Sequence, residues 1–174
     1  METTLIPALD AVGEGYERGT VFLPQLLSAA QAAQSVFEVI RASIAERGGA
    51  PVKRGTLTVA TVRGDIHDIG KNIVRTVLEN YGYEVLDLGR DVPPERVLET
   101  VTEKHVRLVG LSALMTTTLP AMEETIRLLH TLPDPPVIFV GGAVVTPEYA
   151  KTMGADYYAK DAKASVEIAR AVLG

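Results

Sequence analysis

Asp65 and His67 stand two residues apart in Arg63-Gly64-Asp65-Ile66-His67-Asp68-Ile69-Gly70-Lys71-Asn72, a run that follows directly on the apolar stretch Leu57–Val62. A carboxylate and an imidazole at that spacing can project from a turn into one space. The carboxylate then binds one ring nitrogen, fixes the tautomer and makes the other nitrogen a stronger metal donor. Gly70 removes a side chain where a large ligand or the next helix must come close. A plainer reading stands beside this one, in which Asp65 caps the following helix and His67 is a polar loop residue. The glycine spacing matches neither a P-loop nor a dinucleotide fingerprint. A bare metal ion is poorly served, because the other two histidines, His105 and His130, fall at the far ends of helical stretches and the chain has no cysteine. One His–Asp pair is too few ligands for a free cation, but it suffices for a metal that arrives in a macrocycle and needs only an axial donor.

Such a pair needs a scaffold, and the chain supplies an alternating one. Short apolar runs at Leu57–Val62, Tyr83–Leu88, Leu108–Ser112, Val137–Val140 and Asp156–Ala159 are followed by amphipathic stretches at Asp68–Asn80, Pro94–Lys104, Leu119–Leu132, Pro147–Met153 and Ala162–Leu173. Five β–α units in this rhythm predict an α/β fold, a five-stranded parallel Rossmann-like (flavodoxin-like) sheet in the order 2-1-3-4-5. A ligand then sits beyond the carboxyl ends of the strands, where the Asp65–His67 loop lies. Before this region the pattern is helical. Leu5, Leu9, Val12 and Tyr16 form one stripe, Gly19 breaks it, and a second helix from near Leu23 carries two adjacent apolar rows as far as Ile44. Residues 1–49 are thus expected to form a partial helical bundle and residues 50–174 the α/β domain, with Arg47–Arg54 as the linker.

The bulk composition narrows the function classes. Of 174 residues, 47% are hydrophobic and 22% charged, as in a globular protein. Net charge is −5 with no basic block, which gives no support to nucleic-acid binding. The absence of cysteine excludes disulfides, thiolate catalysis and cysteine-bound metal centres. Met1-Glu2-Thr3-Thr4 lacks the basic start of a signal peptide, and no apolar run reaches membrane-spanning length, so a cytoplasmic protein without membrane contact is expected.

Two further strand ends carry unusual residues. The third run ends in Ser112-Ala113-Leu114-Met115-Thr116-Thr117-Thr118, and the fourth in Gly141-Gly142. Helix capping and a tight turn are the ordinary explanations. Taken together, however, Asp65-x-His67-x-x-Gly70, then Ser112-x-Leu114, then Gly141-Gly142 resembles the B12-binding domain family. Forty-one residues separate Gly70 from Ser112 and twenty-six separate Leu114 from Gly141, similar to the family's spacing. The Gly64–Asn72 and Ser112–Thr118 stretches look like the methyltransferase branch, methionine synthase and the small corrinoid proteins. Phe22-Leu23-Pro24-Gln25 looks like the family's helical cap.

The resemblance implies a cobalamin or related corrinoid carrying a methyl group on cobalt. His67 would be the axial cobalt ligand in place of the cofactor's own base, with Asp65 behind it and Thr118 at the family's relay serine. Asp68, Ile69 and Gly70 would lie against the cofactor. Ser112, Leu114, Gly141, Gly142 and Asp161 would receive the displaced nucleotide tail, and Thr116 would lie against the cofactor. Tyr16, Leu23 and Leu26 would cover the upper face, with a tyrosine where phenylalanine is common. It also implies a shuttle without catalysis of its own, presented to donor and acceptor methyltransferases and a reductive activator. An adenosylcobalamin isomerase domain and a cobalamin-dependent sensor share the signature. The helical region argues against the first, and the second requires an output element. A flavin- or phosphoryl-binding flavodoxin-like domain would leave His67 without a role. The family's cap has four helices and this chain supplies two. A homodimer joining two half-caps is therefore expected, with Leu5, Leu9, Val12, Leu27, Val36, Val39 and Ile40 on the uncovered surface, unless the sequence is a piece of a longer chain.

Overall fold

The computed structural model describes residues 5–46 and 54–174, and in the first two helices only part of the side chains. The strands β1 (Thr56–Thr61), β2 (Glu84–Asp87), β3 (Leu108–Ser112), β4 (Val137–Gly141) and β5 (Tyr157–Tyr158) form one sheet in the order β2-β1-β3-β4-β5. Every pairing is parallel. The chain reverses direction across the sheet between β1 and β3, and the loops after those two strands are the ones singled out by their residues.

Both faces of the sheet are covered, so alternate residues of each strand enter different cores. Ala60, Val62, Val109, Leu111, Ile138 and Val140 pack with Val97 and Val101 of α4 (Pro94–Lys104) and with Met122, Ile126 and Leu129 of α5 (Leu119–Leu129). Leu57, Val59, Leu108 and Phe139 face the other way. They meet Leu78 of α3 (Ile69–Asn80) and Val166, Ile168 and Ala169 of α7 (Ala162–Leu173). A short α6 (Pro147–Thr152) begins at Thr146, whose hydroxyl accepts from the Tyr149 amide at 3.2 Å. On the α3/α7 face Gly110 leaves room for the Phe139 ring, since a Cβ at Gly110 would lie 2.3 Å from its Cζ.

The helical region is a hairpin of α1 (Leu5–Glu17) and α2 (Leu23–Glu46). Gly19 takes a left-handed φ of 69°, and the Gly15 carbonyl accepts from the Thr20 and Val21 amides to close the turn. Gln25 reaches back to the Phe22 amide at 2.8 Å and caps α2. The small side chains Ala30 and Ala33 let α2 approach α3, where Asn80 donates to the Ala30 carbonyl at 3.2 Å.

The expected elements appear in place, with their ends adjusted. The last strand is two residues rather than four; at its start the Asp156 amide donates to the Ile138 carbonyl at 2.9 Å, while the Asp156 carboxylate, in place of a backbone carbonyl, accepts from the Ile138 amide at 2.7 Å. The third amphipathic stretch, α5, stops at Leu129 rather than Leu132, and Leu132 precedes Pro133, a position disfavoured in a helix. Of the residues expected on the uncovered face of the hairpin, Leu27, Val36 and Val39 are exposed, whereas Leu9 and Val12 are half-buried against a cavity between the hairpin, α3 and α7. The Leu5 and Ile40 side chains, the boundary at 49/50 and all of the expected linker but Arg54 lie outside the described residues.

Gly110→Ala is expected to cost roughly 1–3 kcal/mol in urea unfolding, the usual penalty of overpacking a filled core. In a Phe139→Leu background, with the ring gone, the same substitution should cost less than half as much. An equal penalty in both backgrounds would contradict the Gly110–Phe139 contact as its cause.

Candidate functional site

The loop after β1 is held by one carboxylate. Asp65 is fully buried, and both of its oxygens are occupied. Oδ1 accepts from the His67 amide at 2.9 Å and meets His67 Nδ1 at 2.8 Å. Oδ2 accepts from the amides of Leu114 at 2.6 Å and Met115 at 3.3 Å and from the Thr118 hydroxyl at 3.1 Å. Burial alone pushes this carboxyl up. The Leu114 and His67 amides, the His67 ring and the Thr118 hydroxyl outweigh it and bring it down from 3.8 to about 2. Asp65 is therefore an anion at neutral pH and can only accept hydrogen bonds. Against this acceptor His67 Nδ1 is the donor, which leaves Nε2 as the ring nitrogen not bonded to Asp65. The His67 side chain is 45% exposed, so the ring is accessible.

Helix capping by these side chains is not what the structure has. α3 is preceded by Asp68, whose side chain makes no cap hydrogen bond, and Asp65 bonds the loop after β3 rather than the α3 amides. Thr118 precedes α5 without a side-chain cap; its hydroxyl lies 3.1 Å from Asp65 and 2.8 Å from the Met115 carbonyl. The methyl that distinguishes it from serine sits over Gly64, 3.5 Å from where a Cβ would stand. Thr116 is exposed in the 3-10 turn Thr116–Thr118.

Around His67 the surface is apolar. Ile66 is 60%, Ile69 69% and Leu114 43% exposed, beside a ring held by a buried anion. A slot of about 140 Å³ opens between α3, α7 and the ends of β3 and β4. Gly70, Ser112, Gly141, Gly142 and Asp161 all line it, and Leu114 does not. Asp161 also caps α7, accepting from the Ala164 amide at 2.8 Å. The glycines differ in kind. A Cβ on Gly142, at φ 116°, would lie 2.0 Å from the Ala113 carbonyl, and one on Gly141 would lie 2.8 Å from the Ala159 carbonyl. The fold itself needs those two. A Cβ on Gly70 would meet nothing within 4 Å, so no neighbouring protein atom requires a glycine there.

Three residues that sequence reasoning missed complete the loop. Lys71 is buried and pairs with Asp87 at the end of β2, 4.0 Å from Asp68. Burial pushes the Asp87 carboxyl up, but the Lys71 ammonium and the Gly89 amide hold it below its ordinary range. Asp91, at φ 53°, accepts from the Gly64 amide at 2.7 Å while its own amide donates to the Asp65 carbonyl at 2.9 Å. A lysine directly after the Gly70 position and an aspartate at a strand's carboxyl end were the available signals.

Tyr16 and Leu26 line the cavity of about 250 Å³ beneath the hairpin, with Ile73 and Val77 of α3, and Leu23 is half-buried. His105 and His130 are exposed helix ends. Among the described residues no cluster of three or more His, Cys, Asp or Glu could hold a metal ion. No described helix is long and apolar enough to cross a membrane.

Comparison with known proteins bears on the same residues. A family model described as B12 binding domain matches residues 55–167, and a second of the same description matches residues 1–41. Dimethylamine corrinoid protein 1 of Methanosarcina acetivorans is 41% identical over 99% of this chain and 82% of its own length. A cobalamin-binding protein from Desulfitobacterium hafniense superposes with a TM-score of 0.83 at 34% identity, over 95% of this chain and 78% of that one. A chain of the methanol:cobalamin methyltransferase complex of Methanosarcina barkeri gives 0.81 at 33%, over 99% of this chain and 66% of that one. With the family matched across the α/β domain and relatives aligned along almost the whole chain, this protein belongs to the B12 binding domain family.

Proposed function

We propose that the chain binds a corrinoid with the cofactor's own base displaced, with His67 Nε2 as the axial donor, and presents it to partner methyltransferases as a methyl carrier. The observation that carries this reading is the fully buried Asp65 carboxylate on His67 Nδ1, which leaves an accessible ring with one free nitrogen. The residues present fit such a group. A lone nitrogen donor suits a metal already held in a macrocycle, and the exposed Ile66, Ile69 and Leu114 offer apolar contact to its flat face. The space at Gly70 opens into a slot that can take the nucleotide tail.

When bound, the corrinoid supplies a cobalt centre able to accept and give up a methyl group. The protein's own tasks are narrower. His67 would hold the metal. Asp65 would orient the ring for that, being itself held by Thr118 and the loop after β3. Tyr16, Leu23 and Leu26, on the helical hairpin, serve to keep water from the other side. Similar proteins named as dimethylamine and trimethylamine corrinoid proteins, and the methyltransferase complex containing a related chain, support the carrier role and partner methyltransferases. Re-reduction of an oxidised centre falls to a separate activator, since the described residues offer no second redox group.

Asp65→Asn is expected to weaken the ligation of bound hydroxocobalamin by His67 about 10–100-fold, the usual effect of losing a ligand's hydrogen-bond partner. The visible spectrum reads the change, and an unaltered His-ligated spectrum would contradict the role of Asp65. The apo protein should respond as well. Because the Asp65 carboxyl is held at about 2 rather than 3.8, its stabilising effect is fully present above pH ~4 and is lost as the pH falls toward 2. The variant should be less stable by about 2 kcal/mol at neutral pH, with the gap closing in that acid window.

Gly70→Ala separates ligand from fold. With no protein atom near the new methyl, the apo protein should be unchanged or stabilised by up to about 1 kcal/mol. Cobalamin affinity should fall at least tenfold. Loss of apo stability with affinity retained would show that the glycine serves the fold.

A further inference from the structure

The loop that carries Asp65 and His67 is gripped from outside by a single residue. Its turn closes with the Asp65 amide donating to the Val62 carbonyl at 3.1 Å, and Gly64 within the turn takes a left-handed φ of 84°. That closure engages neither the Gly64 amide nor the Asp65 carbonyl. Asp91, in the connection between β2 and α4, takes both. Its Oδ1 accepts from the Gly64 amide at 2.7 Å, and its own amide donates to the Asp65 carbonyl at 2.9 Å. The next residue extends the grip, the Val92 amide donating to the Thr61 carbonyl at 3.0 Å.

Asp91 stands at φ 53°, and in that conformation its amide and its carboxylate reach the same two residues. A glycine takes this region freely, and aspartate is among the few side chains that enter it. A turn alone therefore needs no carboxylate here. The residue is exposed, so its side chain adds nothing to the core. What the side chain adds is the acceptor for Gly64, and a charged acceptor holds an amide more tightly than a neutral one.

We infer that Asp91 is a positioning residue for the axial donor. By holding the Gly64 amide and the Asp65 carbonyl it fixes the backbone that places the Asp65 carboxylate, and through that carboxylate the plane of the His67 ring. The inference rests on His67 being the axial donor. The Asp65 carboxylate has to meet donors from two loops at once, and hydrogen bonds weaken steeply when their geometry is lost. A looser Gly64–Asp65 segment would thus leave the imidazole less well aimed, without any direct contact from Asp91 to the ring.

The test is a double-mutant cycle read by equilibrium binding of cobinamide, a corrinoid without a lower base, so that an axial nitrogen has to come from the protein. The visible spectrum of the bound cobinamide reports that ligation. Asp91→Gly keeps the left-handed backbone and removes the acceptor. It is expected to weaken binding about 3- to 10-fold, the lower end of what a ligand's direct hydrogen-bond partner is worth. In a His67→Ala background the same substitution should change binding less than about twofold, because the group it positions is gone. Asp91→Asn retains an acceptor oxygen and tolerates the same backbone, and should recover most of the parent affinity. An equal loss in both backgrounds, no loss in the parent chain, or an asparagine variant as weak as the glycine one overturns the inference and leaves the axial role of His67 standing. Cobinamide bound as tightly by His67→Ala as by the parent chain overturns that role, and this inference with it.

Discussion

A carboxylate taken out of water remains an anion only if hydrogen-bond donors replace the water, and at Asp65 five of them do. Those donors come from two loops. Its carbonyl takes a third, accepting from the Asp91 amide in the segment after β2. The loops after β1, β2 and β3 are thus tied together at the point where the strand order reverses. Removing any one donor leaves the charge undersatisfied, so the loops hold one another in place. His67 has no such support of its own: its ring is half exposed and is oriented by Asp65. The chemistry assigned to the imidazole is in that sense a property of the carboxylate behind it.

The same end of the sheet is shaped by missing side chains, for two different reasons. Gly142 and Gly141 are required by backbone passing close by, at Ala113 and Ala159, and Gly110 by the Phe139 ring. Gly70 answers to nothing in the protein. A glycine in the first turn of a helix costs helix stability of up to about 1 kcal/mol relative to alanine, and here no packing or positive φ offsets it. That cost makes sense if a ligand needs the space. The contrast separates the glycines that the surrounding backbone and the Phe139 ring require from one that no neighbouring protein atom requires.

Much of this was legible in the sequence. The apolar runs, their helical partners and the switch point followed from periodicity, and Asp65 and His67 stood out by type and spacing at a strand's end. The role of Thr118 came from resemblance alone, because a hydroxyl fifty-three residues from its partner leaves no local trace. The residues of Lys71–Asp87 and Asp91–Gly64 left a signal by type and place, but their pairing did not, since each joins neighbouring strand ends that only the sheet order brings together. Leu114 was expected in the slot, whereas its amide is engaged by Asp65 and its side chain is exposed. On the hairpin, two apolar rows predicted a bare surface that included Leu9 and Val12. Those two are half-buried instead and line a cavity shared with α3 and α7, which a one-dimensional pattern cannot show.

The central claim is that a protein nitrogen, His67 Nε2, sits on cobalt. Uniformly ¹⁵N-labelled chain loaded with unlabelled cobalamin and reduced to the paramagnetic cobalt(II) form tests it by electron paramagnetic resonance. An axial ¹⁴N splits each cobalt line into a triplet, and an axial ¹⁵N splits it into a doublet. A protein ligand predicts the doublet in labelled protein and the triplet in unlabelled protein. A triplet that persists in the labelled protein would mean that the cofactor's own base still holds the metal, and would contradict the account.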